Sequence, residues 1–119
     1  MTAPVLSPHT DAVLARWEEW ARSGDQMVRV AQRQGHTDTA ILCAARASAR
    51  RQAARILREA ENTESAVAEL VDTVARLRVL SPPLFDFDVA MVSYTRARTL
   101  QACAHELDHT ITELQPRWT

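Results

Sequence analysis

Apolar residues recur along this chain in alternating steps of three and four, the spacing that places side chains on one face of an α-helix. The first run takes Val13, Trp17, Trp20, Gly24, Met27 and Ala31, and it follows Thr10 and Asp11, either of which can cap a helix start. It predicts a helix over about 10–34, closed by Gln34-Gly35. Gly24 is the weak point at which the axis can kink, since glycine costs about 1 kcal/mol against alanine in a helix interior. Trp17 and Trp20 read as core anchors.

From Thr37 to Leu80 there is neither glycine nor proline. Placing Leu42, Ala49, Ile56, Thr63, Leu70 and Leu77 at one heptad position puts Thr39, Arg46, Ala53, Ala60, Val67 and Val74 at the other, and only Thr39, Arg46 and Thr63 are not apolar. This register favours one central helix over about 38–79, roughly 60 Å long at 1.5 Å per residue. A loop would have to restart the heptad in phase. The alternative is a break near 62–63, with Thr63 capping a separate helix.

Ser81-Pro82-Pro83 ends that element, because consecutive prolines remove backbone donors and disfavour helix before them. A last helix is predicted over about 86–114, stopped by Pro116, with Ser93, Ala97, Leu100, Ala104, Leu107, Ile111 and Leu114 as its stripe. Its first half differs: Leu84, Phe85, Phe87, Val89, Met91, Val92 and Tyr94 put apolar side chains around most of the circumference, which predicts cover on more than one side. The pattern as a whole predicts an all-α fold, an elongated antiparallel bundle of three or four helices with a long central heptad-patterned helix. Residues 10–114 form its single domain, between an extended leader over 1–9 and a tail over 115–119.

Composition narrows this picture. A chain of 119 residues, 46% hydrophobic and 24% charged, supports one core and lies far from the disordered class. The net charge of −1 leaves no global field that would draw it to nucleic acid or an anionic membrane. All 14 basic residues are arginine, which points to a GC-rich bacterial or phage genome, because lysine codons are AT-rich. No stretch approaches the ~18 apolar residues of a membrane span, and the first residues have no signal-peptide pattern, so the expected location is the cytoplasm. Cys43 and Cys103 lack metal-site spacing and read as reduced, buried thiols.

The sharpest local motif is His105-Glu106-Leu107-Asp108-His109. In zinc hydrolases an HExxH string on a helix supplies two ligands from the histidines and a general base from the glutamate. The string resembles the metal-binding segment of peptide deformylases; that resemblance implies His105 and His109 as ligands and Glu106 as the base. It covers five residues, and no glycine-rich segment, third-ligand loop or strand pattern of that family accompanies it. At 100° per residue both histidines point about 160° from Leu107, away from the core stripe. No phosphate loop, dinucleotide fingerprint or repeated inward Glu-x-x-His motif is present, so no cofactor is expected.

Charge patterning suggests a different kind of activity. Arg46, Arg50, Arg51, Arg55 and Arg58 are followed by Glu59, Glu61, Glu64, Glu69 and Asp72. On one continuous helix this reversal would let two copies pair antiparallel, basic half against acidic half. Arg51, Arg55 and Arg58 alternatively form an i, i+4, i+7 ridge that could follow a phosphate backbone, although no interleaved aromatics or helix-turn-helix signal support it. Phe85, Phe87, Met91, Tyr94 and Trp118 are the residues expected to contact a protein partner. The preferred expectation is therefore a non-catalytic helical assembly or adaptor protein that self-associates as an antiparallel dimer. A nucleic-acid-binding regulator is the first alternative and a metal-binding helical protein the second.

Overall fold

The computed structural model describes residues 8–79 and 87–114. They form four helices: α1 (Pro8–Arg33), α2 (Thr37–Glu59), α3 (Thr63–Val79) and α4 (Phe87–Leu114). No strand occurs among the described residues. Helix α1 lies against α2, α3 against α4, and α2 against α4, whereas α2 and α3 touch little. Helix α2 therefore stands between two neighbours. Its buried residues suit that place, because Ala40, Ala45, Ala47, Ala49, Ala53 and Ala54 let other helices approach closely.

The joint between α1 and α2 follows from one glycine. Gly35 adopts φ 75, a left-handed conformation that costs an L-residue with a side chain about 1–2 kcal/mol. Around it the amide of His36 donates to Ala31 O at 2.8 Å and that of Gly35 to Gln32 O at 3.1 Å. This pair is the Schellman arrangement, which satisfies the last carbonyls of α1.

The continuous central helix is corrected by the structure. Ala60 leaves helical geometry at φ −73, ψ 146, and α3 begins only at Thr63. Asn62 supplies the physical reason: its side-chain Oδ1 accepts the Ser65 amide at 2.8 Å while its carbonyl accepts the Ala66 amide at 3.2 Å. An asparagine that caps a new helix competes with continuing the old one. The cap is Asn62, and Thr63 is the first residue of the helix. The helices accordingly pack into a compact body and do not follow one long coiled axis.

Of the predicted heptad positions, Ala49, Ala53, Leu70 and Val74 enter the core and Ile56, Ala60, Val67 and Leu77 pack against it, whereas Thr39 and Arg46 are exposed. Leu57 and Ala66, outside that heptad, join the same cluster with Val13, Trp17, Ala97, Leu100, Cys103, Ala104 and Leu107. Trp17, Leu57, Leu70, Leu100 and Leu107 are completely buried. Each such side chain contributes about 1.5–3 kcal/mol by leaving water.

Helix α1 differs from its predicted stripe. It runs unbroken through Gly24, and Ala21 takes the core position assigned to Trp20. Trp20 and Met27 instead stand 41% and 52% exposed.

Candidate protein-interaction surface

The arginines divide into those consumed by the fold and those left outside it. Arg51 pairs with Asp25 and Arg58 with Glu18, so part of the arginine ridge of α2 is spent on clamping α2 to α1. Arg16 pairs with Glu106, joining α1 to α4. Arg55 lines the same shallow recess as Arg51, Arg58 and Glu18. Arg76 and Asp72 form an exposed i, i+4 pair within α3 at 3.1 Å, of the kind worth a few tenths of a kcal/mol.

Arg46 and Arg50 lie elsewhere, on a groove of about 450 Å³ formed by α1, α2 and α4. Trp20, Leu42, Met91 and Tyr94 are among its other walls. The Arg50 guanidinium stands 5.2 Å from the centroid of the Trp20 ring, and that of Arg98 stands 5.9 Å from Tyr94. Arg98 Nη1 also donates to the Tyr94 hydroxyl at 3.2 Å. Among the described residues, none of Arg46, Arg50 and Arg98 has a carboxylate partner.

The groove extends in both directions. Trp20, Arg46 and Arg50 also line a recess with Met27 and Cys43, and Tyr94 and Arg98 line another with Arg78 and His105. Aromatic, methionine and arginine side chains thus line three adjoining recesses, with Trp20 41% and Tyr94 55% exposed. Glu106 is the one carboxylate on the central groove among the described residues, and it is already engaged by Arg16 and by the Trp17 indole. Beneath lies Cys103, whose thiol is pushed up to about 12 by burial and, less strongly, by the nearby Glu106 charge, against an opposing effect of Arg50.

The acidic residues assigned to the far half of the central helix flank the α2–α3 joint. Glu59, Glu61, Glu64 and Glu69 are exposed, and no arginine pairs with them among the described residues. Val71, on the same helix as Glu64 and Glu69, is 56% exposed.

Of the residues expected to meet a partner, Met91 and Tyr94 lie on the groove and Phe87 opens α4. Phe85 and Trp118 lie outside the described residues. His105 and His109 are exposed, while Glu106 turns inward to Arg16 and Trp17. No group of three or more metal-ligating side chains comes together among the described residues. No described helix is long and apolar enough to cross a membrane.

Trp20 and Met27 are the site residues that sequence reasoning missed. The set Val13, Trp17, Ala21, Gly24, Val28 and Ala31 has the same three-four period as the set first chosen. The period alone does not choose between them. Compared with known proteins, the chain matches no family model, no curated protein and no solved structure.

Proposed function

We propose that this chain is a non-catalytic helical assembly or adaptor protein that acts through protein–protein contacts at the recesses around Trp20, Arg50 and Tyr94. The observation that carries the reading is the company these residues keep. Tryptophan, tyrosine and arginine dominate the energetics of protein interfaces, and here two exposed rings stand with three arginines that lack carboxylate partners among the described residues.

The alternatives draw less support. A phosphate-following ridge needs its cations outward, whereas Arg51 and Arg58 pair with Asp25 and Glu18. A zinc site of the HExxH kind needs a third ligand and a sheltered cavity around His105 and His109, both of which are exposed.

The test is a photo-crosslinking amino acid placed at Tyr94 or Met27 in the native host, with exposed Ala15, outside the groove, as the control. Protein adducts at positions 94 and 27 that are absent at 15 are the expected result. Adducts to nucleic acid, equal labelling at all three positions, or no adducts would overturn the reading.

A further inference from the structure

We propose that the groove is occupied by the acidic α2–α3 corner of a second copy of this chain. The inference rests on the reading of these recesses as a protein-binding surface and names its occupant. Complementary charge is the main argument. Arg46, Arg50 and Arg98 surround the groove, and Glu59, Glu61, Glu64 and Glu69 surround the corner; among the described residues neither set is neutralised by the other sign.

The chain cannot join these two sets along its own helix. Glu59 follows Arg50 by nine residues, about 14 Å along the axis of α2, beyond the reach of a direct ion pair. A second copy can bring them together. With a net charge of −1, two copies meet without strong overall repulsion, whereas a polyanionic nucleic acid would gain nothing from the global field. The corner also offers an apolar contact. Val71 is 56% exposed, with exposed Ala68 and Ala75 three and four residues away on α3, so small side chains are available to enter beside Trp20 and Tyr94.

The pairing joins two different surfaces. Made reciprocally about a two-fold axis, it closes a dimer containing the contact twice; made in one direction, it builds a ring or a chain. It keeps the opposite-charge logic of an antiparallel dimer, with the basic side supplied by α2 and α4 and the acidic side by the helix joint.

Sedimentation of the full chain from about 1 to 100 µM tests this. Association is expected in low salt and should weaken in about 0.5 M salt, which screens exposed charge pairs. The groove variant Arg46→Glu/Arg50→Glu and the corner variant Glu61→Arg/Glu64→Arg should each associate at least about tenfold more weakly, because like charges then face each other. Mixing the two variants should restore association, since groove and corner are again opposite in both directions. Circular dichroism checks that each variant remains helical.

A wild-type chain that stays monomeric in low salt overturns the inference. So does a mixture of helical variants that fails to associate, or association that the charge reversals leave unchanged. If the chain is monomeric yet crosslinks from position 94 to a different protein, the occupant is wrong and the protein-binding reading stands.

Discussion

The buried indole of Trp17 donates from Nε1 to Oε2 of Glu106 at 3.0 Å, tying the first helix to the last across 89 positions of sequence. The other carboxylate oxygen pairs with Arg16. Two substitutions separate these roles. Glu106→Gln keeps an acceptor for the indole and loses the ion pair, and because the Arg16 side chain is 49% exposed that loss should cost under about 1 kcal/mol. Glu106→Ala strands a buried donor as well and should cost about 2–3 kcal/mol. Urea unfolding measures both, and equal costs would show that the indole bond contributes nothing.

The helix ends give a second prediction. Gly35→Ala places a Cβ at φ 75 and should destabilise by about 1–2 kcal/mol. Asn62→Ala removes the acceptor for the Ser65 amide and should cost about 1 kcal/mol. The two sites share no hydrogen-bond partner, so the double variant should lose the sum within a few tenths of a kcal/mol. A markedly smaller combined loss would mean that the two joints unfold as one unit.

Periodicity located part of each buried face, missing Ala21, Leu57 and Ala66, and was silent about whether an axis continues. Leu70 and Val74 reach the same core as Ala49 and Ala53 although Ala60 interrupts the helix. The cap that breaks the helix rests on a single Asn62 side chain, a signal that the surrounding apolar pattern outweighed. On α1 two stripes one residue apart fit the same period, and choosing between Trp20 and Ala21 requires knowing how near α2 comes. The candidate site was legible in pieces: Arg46, Arg50, Met91 and Tyr94 were each singled out. Their convergence was not, since it depends on α2 and α4 packing side by side. Nor can spacing alone show that Arg51 and Arg58 meet carboxylates 26 and 40 residues earlier in the chain.

The cysteines should behave differently from one another. Cys43 is half-buried beside Met27, whereas the Cys103 thiol is buried and its ionisation lies near 12. At pH 8 a disulfide reagent should modify Cys43 readily and Cys103 only on unfolding, since the thiolate is the nucleophile. Stability should respond as well. Cys103 stays protonated in the native state while the unfolded thiol ionises near its ordinary value of 9.0, so the native state holds the extra proton between about 9 and 12. Stability from this group is complete below that window and falls as pH rises through it, by at most about 1.4 kcal/mol per unit. Cys103→Ala should flatten that slope relative to wild type; identical slopes would assign the alkaline loss to other groups.

Gly24 marks a close approach of α1 to α2. A Cβ built there would stand 3.1 Å from the Cβ of Ala47 and 3.6 Å from the Cys43 carbonyl oxygen. Both neighbours are parts of α2 that cannot rotate aside, so any added volume must move the helix. In Gly24→Ala the gain in helix propensity, about 1 kcal/mol, opposes a contact that needs only a few tenths of an ångström of relief. The two should nearly cancel. Gly24→Leu keeps that propensity gain but adds three further carbons where α2 already touches, and overpacking of this kind costs about 1–3 kcal/mol or more. The displacement should also reach the groove, because Arg46 and Arg50 neighbour Ala47 on α2 and Trp20 precedes Gly24 by one turn. Gly24→Leu should therefore lower the unfolding free energy and change Trp20 fluorescence together, while Gly24→Ala changes neither appreciably. If the leucine variant unfolds at the wild-type urea concentration, the close approach of the two helices does not constrain the fold.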